Sequence, residues 1–320
     1  MGRIAIVIVT RNRPAELSHL LTAIGEQHRQ PNSVIVVENG NDTATGDVVR
    51  AHSHILHLSN VGNLGGAGGF AYGILAALAQ DASLIWVMDD DGLPEDQNCL
   101  LNLAAVAEKT SAHIVSPIVI DIKDSSILAF PYYVGLKRFR SKVDIQKLPR
   151  IVGFAHLFNG ALISAEAFRR FGIPDYRLFI RGDEVDFMNR VRRGGGHILT
   201  LPHIGFRHPS GAPETVPLLG GYLNAVVPHG DLKRFYFFRN RGYLVREHRL
   251  VLQFCSDLIR YPAYFLFKQR GDWRGFVRWV HLTLRGFRKD FTPFDPITDT
   301  DVWAAPRGEG SSMIGKHKAD

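Results

Sequence analysis

The chain has 320 residues, 45% of them hydrophobic and 22% charged. That composition excludes a disordered chain and leaves room for one large domain, or a domain of roughly 200–230 residues with an appendage. A net charge of +7 calls for an anionic partner: a nucleotide, an anionic membrane surface or a nucleic acid.

The first 120 residues alternate strand-like and helix-like segments. Ile4–Val9 is a continuous β-rich run of the kind that forms a buried parallel strand. Pro14 stands where a helix starts, with Leu17, Leu20, Leu21 and Ile24 following at helical spacing. Ser33–Glu38, His54–Leu58 and Leu84–Met88 read as further strands, and about Gly68 to Ala79 as the clearest helix. This order predicts an α/β domain with a mostly parallel sheet and ligands at the carboxyl ends of its strands. His113–Ile120 is another strand candidate, with Ile127–Val134 as its partner, and Lys137–Arg150 reads as a basic loop. Phe158–Ile163 resumes the core. Asp183–Arg193 is helical and stops at glycines 194–196, and His197–Phe206 is a strand ending at Arg207-His208-Pro209. From Asp231 onward aromatic and basic residues interleave, and the last residues are polar and expected to be disordered.

Cys99 and Cys255 lack metal-ligand spacing, so a reducing compartment is expected. Ile4–Val9 is too short for a signal peptide, and no apolar run reaches the roughly 18 residues of a spanning helix. A cytoplasmic protein is expected.

The polar residues at the strand ends carry the chemistry. Leu84–Met88 runs into Asp89, Asp90 and Asp91. Either these form a solvated acidic turn, or their oxygens hold a hard divalent cation such as Mg²⁺ or Mn²⁺ shared with a diphosphate. The first two strands end in Thr10-Arg11-Asn12-Arg13 and Glu38-Asn39, which a parallel sheet brings to that same edge. Each of these is individually explained as a cap or a solvated loop residue; their convergence on one edge favours hydrogen bonding to a base and ribose, with an Arg near phosphate. The segment Asn60–Phe70, with Asn63 and Gly66, lets a backbone approach an anion at a helix N-terminus, although glycines there also serve close packing. Gly66-Ala-Gly68-Gly-Phe-Ala71 fits a loose dinucleotide pattern, but such a fingerprint belongs after the first strand, and a P-loop is excluded for want of Gly-Lys-Ser/Thr. Asp183, Glu184 and Asp186 open a helix, where they either pair with its dipole or supply a general base. His208 is either a metal ligand or an ordinary surface or core histidine.

In this order the motifs Val9–Pro14, Val37–Gly40, Asn63–Phe70, Met88–Gly92, Phe158–Gly160, Phe179–Phe187 and His208 resemble inverting GT-A glycosyltransferases of family 2 over roughly residues 3–210. The form with Gly-Gly-Ala-Gly-Gly and Asp-Asp-Asp is most similar to bacterial galactofuranosyltransferases and their rhamnosyltransferase relatives. The resemblance implies a GT-A fold, a mostly parallel sheet flanked by helices with a C-terminal helical extension. It implies metal ligation by Asp89, Asp91 and His208, with Asp90 near the ribose or sugar. It implies a nucleotide pocket lined by Thr10, Arg11, Arg13, Glu38, Asn39, Asn63 and Gly66. Glu184 matches the catalytic base, in an Asp-Glu pair where relatives more often carry Asp second; Asp183 is the fallback. Residues 1–228 would form the catalytic domain, 229–295 a helical basic-aromatic segment, and 296–320 a disordered tail.

The expected activity is sugar transfer from UDP-galactofuranose or dTDP-rhamnose to a lipid-linked or polysaccharide acceptor in cell-surface glycan synthesis. The basic-aromatic segment suits the anionic inner face of the plasma membrane, or else it is a helical subdomain burying its aromatics. No motif supports nucleic-acid binding. A sugar-phosphate nucleotidyltransferase would place a Gly-rich loop with Arg and Lys after the first strand, and that is missing. Retention of Asp89, Asp91, Glu184 and His208 argues against a non-catalytic binding relative.

Overall fold

The computed structural model describes residues 2–59, 62–135, 137–210 and 214–300. Asn60 of the glycine-rich segment and residues 301–320 of the expected disordered tail therefore lie outside the described residues. The chain divides into two compact units, Met1–Pro213 and Glu214–Asp320.

The first unit runs β1 (Ile4–Thr10), α1 (Pro14–Gly25), β2 (Ser33–Glu38), α2 (Thr43–Arg50), β3 (Ile55–Leu58), α3 (Gly65–Ala79) and β4 (Leu84–Asp89). It continues with β5 (Leu93–Pro94), α4 (Cys99–Thr110), β6 (Ile114–Asp121), β7 (Ile127–Val134), β8 (Lys137–Ser141), α5 (Lys142–Ile145) and β9 (Ile151–Val152). It closes with β10 (Asn159–Ser164), α6 (Ala165–Phe171), α7 (Asp183–Arg193) and β11 (Ile198–His208). The main sheet has the order β3-β2-β1-β4-β10-β6-β11-β5. Neighbours are parallel from β3 to β4 and between β6 and β11, while β10 runs antiparallel between β4 and β6.

The apolar runs explain this sheet. Every residue of β1 is buried, because helices cover both faces and each side chain meets an apolar layer. Ile4, Ile6 and Ile8 join Leu17, Leu20 and Leu103 on one side, while Ala5, Val7 and Val9 join Phe70, Ile74 and Phe187 on the other. Trp86 is fully buried, and its indole N–H donates to the Gly160 carbonyl at 2.8 Å.

The fold differs locally from the sequence reading. Residues 137–150 are not simply a basic loop: they form β8, which pairs with β7, and the short α5. Phe139, Ile145 and Leu148 pack into a small core with Ile118, Ile120 and Tyr132, so three apolar side chains override the cationic surroundings. Helix α3 starts at Gly65, earlier than expected, because Asn63 accepts from the Gly65 N–H at 3.0 Å and Ala67 N–H donates to the Phe179 carbonyl.

The second unit contains a hairpin of β12 (Thr215–Leu218) and β13 (Leu223–Val226), then helices α8 (Asp231–Glu247), α9 (Val251–Pro262) and α10 (Trp273–Phe287). A π-helical turn, Ala263–Lys268, follows α9. Phe235, Phe238, Tyr261, Phe265, Trp279 and Leu282 are buried within it. Arg239 is also fully buried, donating to the Phe291 and Thr292 carbonyls and to Asn240 Oδ1 with its guanidinium over the Tyr236 ring. Aromatic faces and carbonyls together replace the water such a cation gives up. Among the described residues no helix is long and apolar enough to cross a membrane.

Candidate active site at the sheet edge

Parallel register places the polar strand ends on one line. Thr10 lies opposite Glu38, and Val9 opposite Asp89. Thr10 Oγ1 donates to Asp90 Oδ2 at 2.7 Å, and Arg13 Nη1 reaches Asp90 at 3.0 Å and Asp91 at 2.7 Å. The Arg11 backbone N–H also points at Asp90, at 3.4 Å, while its side chain is exposed. Asp90 is thus held by the end of β1.

Asp89 and Asp91 take a different course. Strand β11 pairs with β5 so that Arg207 lies opposite Leu93, which delivers His208 to the end of β4. One oxygen each of Asp89 and Asp91 and a ring nitrogen of His208 all lie within 4.8 Å of one another. His208 Nε2 is 3.1 Å from Asp91, and its Nδ1 is 2.7 Å from the Pro209 carbonyl. A carbonyl only accepts, so Nδ1 carries a proton, and Nε2 faces the carboxylates either as a second N–H or as a lone pair for a cation. Two carboxylate oxygens and an imidazole nitrogen suit Mn²⁺ well and Mg²⁺ adequately.

The three groups shift one another's charge. Shielding from water, then the charge of Asp91, raises the Asp89 carboxyl well above the carboxylate range. Burial would raise Asp91 too, but the hydrogen bond and charge of His208, with Arg13, bring it down to about 2. Burial disfavours the charged His208 ring, yet the hydrogen bond and charge of Asp91 outweigh it and raise its pKa.

The glycine-rich segment separates into two kinds of position. A Cβ on Gly65 would collide with the Phe179 carbonyl, and one on Gly69 or Gly73 with Val9 or Val7 of β1. Gly69 and Gly73 let α3 lie close against the sheet, and Gly65 lets its start meet the Phe179 carbonyl. Gly66 is different: a Cβ there meets nothing within 4 Å, so its backbone borders open space. Asn39 donates to the Gly65 carbonyl at 2.7 Å, while its buried Oδ1 has no hydrogen-bond partner among the described residues. Asn63 is exposed beside it.

The two acids of α7 part company. Asp183 is buried at the helix start, and burial, with the neighbouring Glu184 charge, pushes its carboxyl up to about 7. Glu184 is half-buried and accepts from the Phe158 N–H at 3.4 Å. Burial raises its pKa as well, and its charge acts on Asp89 and His208.

Two residues escaped the sequence reading. His57 Nε2 lies 2.8 Å from Glu38 Oε2, bracing that carboxylate from β3. A histidine inside an otherwise apolar strand next to a strand ending in Glu was the available signal. His156 sits among Phe130, Tyr132 and Phe154, with Nε2 buried and unpartnered among the described residues. Nothing in its sequence neighbourhood pointed to it.

Comparison with known proteins gives this edge a context. Residues 5–170 match Glycosyl transferase family 2. Galactofuranosyltransferase GlfT1 of Mycobacterium tuberculosis (strain ATCC 25618 / H37Rv) is 40% identical over 294 residues, covering 89% of this chain and 95% of that one. Galactofuranosyltransferase GlfT1 of Mycolicibacterium smegmatis is 38% identical over 295 residues, covering 90% and 97%. Among solved structures, GalNAc-T7 with UDP, GalNAc and Mn²⁺ is similar at a TM-score of 0.53 and 14% identity, over 78% of this chain and 50% of that one. That likeness shows a shared GT-A fold. The identity along nearly the whole chain shows more: the protein is a glycosyltransferase, a member of glycosyl transferase family 2.

Proposed function

We propose that the protein is a metal-dependent, inverting galactofuranosyltransferase. It would move galactofuranose from UDP-galactofuranose to a lipid-linked or polysaccharide acceptor in bacterial cell-surface glycan synthesis, at the inner face of the plasma membrane. The observation that carries the sugar assignment is the 40% identity to galactofuranosyltransferase GlfT1 over 89% of the chain.

Asp89, Asp91 and His208 would hold Mn²⁺ or Mg²⁺. Such a cation, when bound, stabilises the charge developing on a nucleoside diphosphate leaving group. Thr10, Glu38, Asn39 and Asn63 line the nucleotide, with the unpartnered Asn39 Oδ1 supporting a donor group on the ligand. The open backbone at Gly66 and the side chains of Arg11 and Arg13 serve the phosphates. Arg13 also pairs with Asp90 and Asp91. Asp90, fixed by Thr10 and Arg13, faces the ribose or sugar rather than the cation.

Glu184 takes the proton of the acceptor hydroxyl as that oxygen bonds to the anomeric carbon. The bond to the diphosphate breaks on the opposite face, so the configuration inverts. The action of the Glu184 charge on Asp89 and His208 supports it over the more deeply buried Asp183 as the base.

The test is a transfer assay with UDP-galactofuranose and with dTDP-rhamnose, both in Mn²⁺. Transfer is expected from the first donor, and it should stop in EDTA and in Asp91→Ala. Transfer from dTDP-rhamnose alone would replace the sugar assignment, and full activity in EDTA would remove the metal from the reaction. Donor binding without transfer to any acceptor would leave a nucleotide-sugar-binding relative.

A further inference from the structure

Helix α9 is built inside out. Asp257, its acid, is buried and paired bidentately with Arg241 of α8, and Tyr261 is buried with its hydroxyl donating to the Val226 carbonyl. The opposite side presents Val251, Leu252, Leu258 and Ile259 outward, a stripe at helical spacing with Leu252 88% exposed. An ordinary soluble helix has the reverse arrangement.

The turn that follows continues this face. Gly271 N–H donates to the Leu266 carbonyl and Asp272 N–H to the Phe265 carbonyl, while the Asp272 side chain caps α10 at Gly275. On this hydrogen-bonded turn Phe267 is 78% exposed and Trp273 62%. Between and beside them stand Lys268, Arg270 and Arg274, all exposed, with no acid partner among the described residues. Along α10, Trp273, Val277 and Leu284 form a second exposed apolar stripe. Leu284 also borders an open apolar groove with Phe254 and Phe287, flanked by Arg246 and Arg288. The groove thus joins the faces of α9 and α10.

Charge selects the occupant. Residues 248–289 contain nine Lys and Arg and two acids, Asp257 and Asp272; both acids are engaged within the fold, and of the cations Arg278, Arg285 and Lys289 pair with Asp299, Asp290 and Glu247. A second copy on this face would bring the same cations against it, and like charges repel. An anionic bilayer offers headgroups to the cations and acyl chains to Leu252, Phe267 and Trp273. Trp and Phe beside Lys and Arg suit that boundary, where one part of a side chain is dry and its neighbour wet. No described helix spans a membrane, so contact of this kind lies in the interface.

We infer that the outer faces of α9 and α10, with the turn between them, form an interfacial docking surface for an anionic phospholipid bilayer. Leu252, Phe267 and Trp273 insert, and Lys268, Arg270 and Arg274 hold the headgroups. The inference deepens the proposed membrane setting and rests on it for its biological role, while the surface itself stands on residues of the second unit alone.

Vesicle sedimentation of the full chain tests it, with phosphatidylcholine–phosphatidylglycerol vesicles against pure phosphatidylcholine. Binding to the mixed vesicles is expected, weakened by salt. It should fall by at least about tenfold in Leu252→Ser/Phe267→Ser and also in Lys268→Glu/Arg270→Glu, with thermal unfolding unchanged. Val152→Ser, at an exposed apolar site of the first unit, should bind as the parent does. Absence of binding to either vesicle overturns the inference. So does binding that ignores the apolar substitutions, or a vesicle-free dimer that Leu252→Ser dissociates. The assay contains no donor, metal or acceptor, so its failure leaves sugar transfer standing, and loss of transfer leaves this surface standing.

Discussion

Three adjacent carboxylates at the end of β4 occupy three environments. Asp90 is buried under Thr10 and Arg13, Asp91 faces both Arg13 and His208, and Asp89 shares the cluster with His208 while feeling Glu184. Strand geometry and the following turn separate them, since successive side chains leave a strand on opposite faces. Glu184 is the neighbour to test. Glu184→Gln removes a proton acceptor while keeping size and hydrogen bonding, so kcat should fall by about 10²–10⁴-fold with donor affinity unchanged by calorimetry. Undiminished turnover would move the base to Asp183. His156 gives a separate prediction. Burial pushes its pKa from the usual range down to about 3, so the folded chain refuses a proton that the unfolded chain binds below about 6.5. The stability from the neutral ring is complete above about pH 6.5 and declines as pH falls towards 3, by up to about 1.4 kcal/mol per pH unit. In His156→Phe the midpoint of thermal unfolding should decline less steeply between pH 6.5 and 5; parallel slopes would count against it.

Among the elements, α3 shows how one sequence feature holds two meanings. Its glycines read as an anion loop, yet Gly69 and Gly73 are packing positions and Gly66 is the one bordering open space. Both faces of such a helix look alike in sequence because glycine has no side chain to show which way it points. Gly73→Ala forces a methyl group onto Val7 and Val37 and should destabilise the protein by about 1–3 kcal/mol, read as a lower unfolding midpoint. An unchanged midpoint would mean that α3 can lift from the sheet at little cost. The β7–β8 pairing was illegible for a related reason: the cations of 137–150 stand out in sequence, whereas Phe139 and Ile145 gain their burial in a cluster with residues of β6, β7 and β9. Helix α9 has a legible stripe, but a stripe does not say which side faces inward. The partner Arg241, on another helix, decides that.

At the scale of the whole molecule the site depends on distant segments meeting. A nucleotide and a cation that bind only the folded chain stabilise it by mass action, by about 2.7 kcal/mol at a ligand concentration 100 times Kd. UDP with Mn²⁺ should therefore raise the unfolding midpoint more than UDP alone. EDTA should abolish the difference, and Asp91→Ala should not show it. An equal shift with and without the metal would separate the nucleotide pocket from the cluster.

The sequence by itself determined the α/β order, the buried strands and the line of polar strand ends, because those features are local patterns whose period matches strand or helix. It also placed Asp89 to Asp91 at a strand end, since a carboxylate run must stop a buried strand. The family resemblance already grouped His208 with Asp89 and Asp91 apart from Asp90, but only the tertiary structure shows how the three come together. The reason is register: β11 alongside β5 and β6 fixes where residue 208 falls, and no pattern near either segment records that pairing. The brace of His57 on Glu38, the division of labour among the glycines and the outward face of α9 were decided in the same way, by contacts between segments far apart in the chain.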